Sequence, residues 1–398
     1  MFRRICAASL LLGFTLTLGQ PALAADKLRI GFLTDMSSAY SDLDGKNGTT
    51  AIEMAIADFG GTVLGRPIEL LTADHQNKPD IAVATAREWM DAQHISMLVG
   101  GTNSAVAVAV AGIADEKKVL FLANGPGSSA LTNEACNPLT IHYAYDTVAI
   151  ARGTAGAMVK QGYKDWYFLT ADYAFGAALQ RDALAVITAG GGRMIGSVRH
   201  PVNSPDFSSY LLQADAAKPQ ILGIANGGND MVNAIKTIKE FGIDQHMKVA
   251  SLLMFITDVH SIGLKDAGGL LFTTSWDWNL NDESRAFGRR FYAKTGRMPT
   301  DVQAADYSST MTYLKAVQTL KTADSEKVMA YLKSTKLKDF YAEGYVRADG
   351  RYVHNMYLVQ VKTPAESREP WDYVKVIATM PGDEVFTTKA ETRCKLWK

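Results

Sequence analysis

Short apolar runs alternate with amphipathic stretches along the first third of the chain. Each run is bounded by turn residues, which is typical of buried β-strands. The predicted strands are Leu28–Thr34, Ile68–Thr72, Ile95–Val99 and Val119–Ala123. Between them, apolar residues recur at three and four positions, which predicts helices over Gly48–Phe59, Pro79–Gln93 and Ser104–Glu116. A strand–helix series of this kind predicts a parallel sheet with helices on both faces.

The same pattern begins again near residue 165. Strands are predicted at Asp165–Thr170, Met194–Val198, Ile221–Ala225, Lys248–Leu253 and Leu270–Ser275. Helices are predicted at Phe175–Ala189, Phe207–Ala217 and Asp230–Phe241. The repetition indicates two α/β lobes of similar plan, each with a parallel sheet of the Rossmann-like kind.

The alternation of strands and helices ends after residue 280. Long helices are predicted at Glu283–Thr295, Val302–Leu320 and Ser325–Ser334, followed by antiparallel strands at Asn355–Val361 and Trp371–Ala378. No Pro/Ser-rich linker separates the lobes, so we expect several short chain crossings between them. A cleft between two such lobes is the default place for a ligand.

Composition restricts the function. The chain has 398 residues, which is enough for two domains, and 47% of them are hydrophobic, which excludes general disorder. It carries 41 basic and 41 acidic residues, so there is no overall basic field to attract a nucleic acid. We therefore expect no nucleic-acid partner.

The N-terminus predicts a cleavable signal peptide at residues 1–24. Arg3 and Arg4 precede an apolar run, and an Ala-x-Ala site ends at Ala24. The alternative, a transmembrane anchor, needs about 20 apolar residues, and this run is shorter. Cleavage would leave 39 basic and 41 acidic residues. We expect a periplasmic protein.

Cleavage would also remove Cys6 and leave Cys136 and Cys394. Two remaining cysteines in an oxidising compartment most simply form a disulfide, and two buried free thiols are the alternative. The bridge would tie the C-terminal tail back to the segment around residue 136, with an entropic stabilisation of roughly 5 kcal/mol.

Signatures of enzymes are mostly absent. The first strand is not followed by a dinucleotide-binding glycine motif, and the chain has no phosphate loop, zinc-protease motif or nucleophile elbow. Its 7 histidines are scattered without the spacing of metal ligands. We therefore expect no enzyme activity, no cofactor and no metal.

Loops at the carboxyl ends of the first-lobe strands carry candidate ligand-binding residues. Asn103 and Ser104 open directly into an apolar helix, whose N-terminal amides suit a carboxylate. The simpler interpretation is that one of the two only caps the helix. Asn124, Gly125 and Gly127 follow the next strand and repeat the design with small side chains and open backbone.

The second lobe offers aromatic and amide groups at its strand ends. Tyr173 and Phe175 follow the first strand of this lobe, and Asn226 and Gly227 follow the third. Met254–Phe255 comes after the fourth strand. These groups predict a flat hydrophobic wall for a ligand, although Phe175 or Phe255 could instead pack in the core.

Several segments, in order, resemble one protein family over essentially the whole mature chain. The chain is similar to the type I periplasmic solute-binding proteins of the leucine/isoleucine/valine-binding class, which deliver solutes to ATP-driven importers. The segments that carry the resemblance are Leu28–Phe32, Gly45–Gly48, Ile56–Phe59, Gly65–Glu69, Gly100–Ser104, Leu131–Thr132 and Asp172–Gly176.

The resemblance implies a fold and a mechanism. It implies two lobes joined by a multi-crossing hinge, with lobe 1 at residues 25–145 and 276–352, lobe 2 at 146–275 and 353–382, and a tail at 383–398 tied to lobe 1. The lobes would close over a small solute, and an inner-membrane permease would read the closed form. We expect a monomer.

The resemblance also implies roles for individual residues. Ser104 and the loop from Gly125 to Gly127 would hold a ligand carboxylate, and Tyr173 or Phe175 would close over the ligand. Tyr40, after the first strand, is a further candidate for the site.

One departure from the family bears on the ligand. The amino-acid binders present an acidic side chain to the ammonium group, whereas the corresponding stretch Leu253–Phe255 has no carboxylate. An ammonium buried without a counter-charge loses several kcal/mol of solvation. One branch of the family takes up benzoate-like and phenylpropanoid acids, so we expect an aromatic carboxylate.

Two alternatives remain open from the sequence. A hydrophobic amino acid would fit if Asp172, Asp277 or Asp306 reached the cleft. The same fold also serves as a ligand-sensing regulatory module, which would act on a receptor or repressor rather than on a permease.

Overall fold

The structure is a computed structural model that describes residues 26–398. The predicted signal peptide and Cys6 lie outside the described residues. The two-lobe α/β architecture expected from the sequence is confirmed, with one parallel sheet at the centre of each lobe.

The first lobe is built on a six-stranded sheet with the strand order β2-β3-β1-β4-β5-β6. Its strands are β1 Leu28–Thr34, β2 Thr62–Val63, β3 Arg66–Asp74, β4 Met97–Gly100, β5 Leu120–Ala123 and β6 Thr140–His142. All pairings are parallel except β2 with β3. The helices between the strands are α1 Gly45–Phe59, α2 Pro79–Asp91 and α3 Ser104–Glu116.

The second lobe is built on a four-stranded parallel sheet with the order β10-β9-β7-β8. Its strands are β7 Asp165–Ala171, β8 Arg193–His200, β9 Ile221–Ala225 and β10 Lys248–Ser251. Its helices are α4 Thr147–Ile150, α5 Gly156–Lys160, α6 Ala174–Ala189, α7 Ser208–Ala216, α8 Asn229–Glu240, α9 Ile256–Ile262 and α10 Leu264–Ala267. A π-helical segment, Ala151–Ala155, joins α4 to α5.

The rest of the chain adds three helices, a short terminal helix and two small antiparallel sheets. The helices are α11 Asp282–Thr295, α12 Asp301–Leu320, α13 Ser325–Ser334 and α14 Gly382–Val385. One sheet has the order β11-β15-β16, with strands at Leu271–Thr274, Met356–Val361 and Val374–Met380. The other has the order β12-β13-β14, with strands at Lys336–Lys338, Glu343–Val346 and Tyr352–His354.

Helix α12 fixes the loop that leads into α1. Thr300 caps α12, and its hydroxyl also donates to the carbonyl of Leu43 at 2.6 Å. Gln303 donates to the carbonyl of Asp44 at 3.1 Å. Because the loop is held from outside its own helix, α1 begins at Gly45, three residues before the predicted start.

A buried arginine joins chain segments that are distant in sequence. Arg351 is fully buried and donates to the carbonyls of Tyr145 and Tyr352, each at 3.0 Å. It also donates to the carbonyl of Tyr143 and lies 3.8 Å from Asp146. Carbonyl oxygens surround the guanidinium, so its charge is solvated inside the protein.

Cys136 and Cys394 form the predicted disulfide, with their Cα atoms 5.8 Å apart. Beside it, the backbone N–H of Arg393 donates to the side chain of Asn133 at 3.1 Å. The C-terminal tail is therefore fastened to the segment that follows β5, and the alternative of two free thiols is wrong.

Candidate functional site

A narrow cavity lies between the lobes, at the carboxyl ends of strands from both central sheets. Its lining residues enclose a volume of about 20 Å³, far below the roughly 300–1,000 Å³ of common ligand pockets. They are Tyr40, Leu43, Thr102, Asn103, Ser104, Gly125, Pro126, Gly127, Tyr145, Tyr173, Phe175 and Leu253. The closed lobes therefore leave little space between them.

One wall of the cavity consists of two loops, residues 102–104 after β4 and 125–127 after β5, which we call the cradle. Asn103 caps α3, and its side-chain oxygen accepts from the amides of Ala105 and Val106. The capping interpretation therefore holds for Asn103. Ser104 is left as the first residue of the helix, where the helix dipole favours an anion.

The hydroxyl of Ser104 is prepared to donate. Its Oγ accepts a hydrogen bond from the backbone N–H of Ser128 at 3.0 Å. Because the oxygen is oriented by that bond, its own hydrogen is available to an acceptor inside the cavity. A carboxylate is the acceptor that gains most from a hydroxyl and a helix N-terminus together.

The glycines of the cradle allow close packing. A Cβ at Gly125 would lie 2.0 Å from Oγ1 of Thr102, and a Cβ at Gly127 would lie 2.7 Å from the ring of Phe175. Any side chain at these positions would push the two loops apart or displace the aromatic wall. The small residues therefore set the width of the cavity.

The opposite wall is aromatic. The rings of Tyr173 and Phe175 pack together, with their centroids 6.1 Å apart. The hydroxyl of Tyr145 donates to the carbonyl of Gly125 at 2.8 Å. Burial raises the pKa of Tyr40, Tyr145 and Tyr173, and neighbouring phenols and carboxylates raise the pKa of Tyr40 and Tyr145 further. These phenols stay protonated and able to donate hydrogen bonds.

The two lobes touch around the cavity. The hydroxyls of Tyr40 and Tyr173 lie 2.5 Å apart, and the amide of Asn229 donates to the carbonyl of Ala39 at 3.1 Å. On another side, Ser129 donates to Asp182 at 2.8 Å. These contacts join loops of the first sheet to helices and loops of the second, so the structure shows the cleft closed.

Seven of the residues singled out from the sequence line this cavity, and five do not. Those in the lining are Tyr40, Asn103, Ser104, Gly125, Gly127, Tyr173 and Phe175. Asn124 lies beneath the cradle and donates to Asp306 at 2.7 Å. Asn226 is buried beside His200, with a nitrogen–nitrogen distance of 3.1 Å.

The remaining three lie behind or beside the wall. Gly227 lies behind Leu253, Met254 packs in the second-lobe core, and Phe255 lies against Tyr145 with a centroid distance of 6.0 Å. Phe255 also lines a separate small cavity that Trp276 and Asp277 share.

Sequence reasoning missed five lining residues. Leu43, Thr102, Pro126 and Leu253 lie within three positions of a predicted site residue and could have been found by widening each loop. Tyr145 gave no such signal, because it follows the three-residue strand β6.

The cavity lining carries no charged side chain. Among the acidic residues considered from the sequence, Asp172 is largely exposed and pairs with Arg199 at 3.0 Å. Asp277 is buried near the separate cavity, where desolvation raises its pKa to about 7. Asp306 lies beneath Asn124. None of the three lines the cavity beside the cradle, and Asp277 lines the separate one.

No group of three or more His, Cys, Asp and Glu side chains in residues 26–398 is arranged to hold a metal ion. No helix in the same range is both long and apolar enough to cross a membrane.

The chain is similar to known proteins in both sequence and fold. Residues 27–367 match a family model described as "Periplasmic binding protein". A crystal structure of a periplasmic binding protein from Burkholderia mallei is 58% identical, covers 94% of this chain and 100% of its own, and superposes with a TM-score of 0.93. A branched chain amino acid ABC transporter periplasmic ligand-binding protein from Burkholderia xenovorans LB400 is 39% identical, with the same coverage and a TM-score of 0.83.

More distant relatives share the fold. A solute-binding protein of an ABC transporter from R. palustris, solved in complex with benzoate, is 20% identical over 93% of this chain and 100% of its own, with a TM-score of 0.83. The Leu/Ile/Val-binding protein homolog 6 of Brucella melitensis is 22% identical over 241 residues, which are 60% of this chain. The chain spans 60% of the length of that curated relative.

Proposed function

We propose that this chain, which belongs to the periplasmic binding protein family, is the substrate-binding protein of an ABC importer and captures a small aromatic carboxylate between its lobes. The family membership is the premise. The ligand class comes from the chemistry of the cavity.

The observation that carries the proposal is the asymmetric lining of the cavity. One side offers the Ser104 hydroxyl and the N-terminus of α3, which suit a carboxylate. The other side offers the rings of Tyr40, Tyr173 and Phe175, which suit an aromatic ring. No acidic side chain lines the cavity to balance an ammonium group, and burying an unpaired ammonium costs several kcal/mol.

The similar proteins give unequal support to the two candidate ligand classes, amino acids and aromatic acids. The relative named for branched-chain amino acids is the more similar in sequence, at 39% identity. The protein solved with benzoate is 20% identical and supports only the statement that this fold accommodates such an acid. A branched-chain or other hydrophobic amino acid therefore remains the second candidate, and the uncharged lining favours the aromatic acid over it.

Ligand capture follows from hinge closure. A ligand would dock on the cradle, and contacts from the second lobe would stabilise the closed form by their differential affinity. The hinge would lie where the chain crosses near residues 145, 275 and 352, which are the boundaries expected from the sequence. Arg351 fastens two of these crossings through the carbonyls of Tyr145 and Tyr352.

The proposal includes a location and a partner. A periplasmic protein that closes over its ligand would present the rims of both lobes to an inner-membrane permease, and one copy would suffice for binding. No chemical step is proposed, so the ligand should be recovered intact after long incubation with the protein.

A thermal-shift screen tests the proposal. The purified protein, unfolded and refolded to remove any carried ligand, is heated with benzoate, 4-hydroxybenzoate, leucine or isoleucine. We expect the aromatic acids to raise the unfolding temperature, because a ligand at 100 times its Kd stabilises by about 2.7 kcal/mol. A shift with leucine or isoleucine and none with either benzoate would support the second candidate instead.

A further inference from the structure

Two buried carboxyl groups lie directly beneath the cradle. Asp44 precedes α1 and Asp306 lies on α12, and neither side chain is exposed to solvent. We propose that Asp44 and Asp306 share a single proton and that this pair positions the two cradle loops. The inference goes beyond the proposed function, because it does not depend on the identity of the ligand.

Each carboxyl group uses one oxygen to hold a cradle loop. Oδ2 of Asp44 accepts from the hydroxyls of Thr34 at 2.6 Å and Thr102 at 2.5 Å. Oδ1 of Asp306 accepts from the side-chain amide of Asn124 at 2.7 Å. Thr102 lines the cavity, and Asn124 is joined to Gly125, which also lines it. The pair is therefore connected to both loops of the cradle.

The other two oxygens lie close to the same point, beside Gly48. Oδ1 of Asp44 and Oδ2 of Asp306 lie 2.2 Å and 2.8 Å from the position that a Cβ of Gly48 would occupy. Both atoms are buried, and neither has an N–H or hydroxyl donor among residues 26–398. Two facing carboxylates without a donor would repel strongly in this low-dielectric site, whereas one shared proton makes one group the donor and the other the acceptor.

The surroundings favour the charge on Asp44. Burial raises the pKa of both groups, and the charge of Asp44 raises the pKa of Asp306 further. Asp44 also accepts from Thr34 and Thr102, which stabilises its ionised form. The other titratable groups that act on the pair are Asp35, whose charge raises the pKa of Asp44, and Tyr145, whose pKa is raised by Asp44.

The arrangement holds both cradle loops against α1 and α12. The pair joins the end of β1, the start of α1, helix α12 and both cradle loops through three hydrogen bonds and one shared proton. It carries one negative charge instead of two beneath the place where a ligand carboxylate would bind. Loss of the shared proton would place two like charges in contact and push α1 away from α12.

The proton can be counted through the pH dependence of unfolding. In the wild type, unfolding releases the proton, so the unfolding equilibrium constant rises tenfold per pH unit once the unfolded carboxyl is ionised. In Asp306→Asn an amide N–H replaces the proton permanently, and this dependence is removed. We expect the ratio of wild-type to Asp306→Asn unfolding constants to rise about a hundredfold between pH 5 and pH 7.

Matched variants make the outcome decisive. Asp74→Asn is the control: its ratio should stay flat over the same range, because hydrogen bonds from Ser37 and from the amides of Met36 and Gln76 lower the pKa of Asp74. Asp44→Asn removes the same proton from the other side and should reproduce the hundredfold rise. A flat ratio for both Asp306→Asn and Asp44→Asn would overturn the shared proton.

The positioning role is tested separately with benzoate as the probe. Asp306→Ala removes the acceptor of Asn124 as well as the proton, and should weaken benzoate binding at least tenfold, whereas Asp306→Asn should recover most of that loss. Equal weakening in both variants would overturn the positioning role. If the wild type does not bind benzoate, the proposed ligand fails, while the pH dependence of unfolding still tests the pair.

Discussion

The hydroxyl groups of Tyr40 and Tyr173 lie 2.5 Å apart and join the first lobe to the second at the edge of the ligand cavity. Tyr40 is buried and Tyr173 is partly buried in the closed form, and both phenols stay protonated because desolvation raises their pKa. One hydroxyl donates and the other accepts. Because the two residues lie on different lobes, opening of the lobes would break this bond.

This bond should contribute to closure. Replacing Tyr173 with Phe keeps the ring over the cavity and removes the bond, and a neutral hydrogen bond contributes about 0.5–1.5 kcal/mol. We expect Tyr173→Phe to weaken ligand binding by roughly two- to tenfold and to shift the unliganded protein toward the open form in small-angle scattering. Tyr307→Phe, which removes a phenol bound to Asp58 outside the cavity, is the control. Equal ligand affinities for the wild type and Tyr173→Phe would argue against a contribution of the Tyr40–Tyr173 hydrogen bond to closure.

Ser104 should hold the ligand carboxylate. Ser104→Ala removes a charge-assisted hydrogen bond of roughly 1.5–3 kcal/mol, so carboxylate affinity should fall by about one to two decades. Calorimetric titration with benzoate measures the change in affinity. Ser128→Ala is the matched control, because Ser128 contacts Ser104 only through its backbone N–H, which this substitution keeps. An unchanged affinity in Ser104→Ala would remove Ser104 from the site.

Gly48 should tolerate no side chain. A Cβ at this position would lie 2.2 Å from Asp44 and 2.6 Å from Phe32, so Gly48→Ala should destabilise the protein by about 1–3 kcal/mol through overpacking. The control is Gly112→Ala in α3, where a Cβ meets no atom within 4 Å and helix propensity favours alanine by up to about 1 kcal/mol. Urea unfolding of both variants measures the difference. A neutral Gly48→Ala would contradict the packing of α1 on α12.

His75 should make the protein acid-sensitive. It is buried, and desolvation lowers its pKa to about 4, against about 6.5 in an unfolded chain. Since the unfolded state takes up the proton first, the contribution of His75 to stability is fully present above about pH 6.5 and is lost as the pH falls toward about 4.

The comparison is with His75→Gln. The stability advantage of the wild type over this variant should shrink by up to about 3 kcal/mol between pH 7 and pH 4. A constant difference between wild type and His75→Gln would show that His75 is protonated equally in both states.

Much of the fold could be predicted because the central strands are continuous apolar runs. The strand Ile221–Ala225 and the helix Ser104–Glu116 agree with the sequence prediction at both ends, since each is bounded by a clear turn or capping residue. The strands β6 and β12 to β14 gave no usable signal, because they are three or four residues long and depend on pairing with distant segments.

The site was predictable to a different degree. Loops after parallel strands gather at one edge of the sheet, so Ser104 and Gly125 could be placed together from the strand order alone. The pattern could not tell which strand-end residues face the cleft and which face the core, and Met254 lies in the second-lobe core. The Asp44–Asp306 pair was beyond sequence reasoning, because the two residues are far apart in the sequence and only the packing of α12 on α1 brings them together.

The proposed ligand class is tested most directly by two ligands that differ only in the α-ammonium group. Calorimetric titration of the refolded protein with 3-phenylpropanoate and with phenylalanine measures what the uncharged lining does to that group. We expect 3-phenylpropanoate to bind at least about tenfold more tightly, because the cavity offers its carboxylate a cradle and offers an ammonium no counter-charge. Tighter binding of phenylalanine would contradict the proposed ligand class.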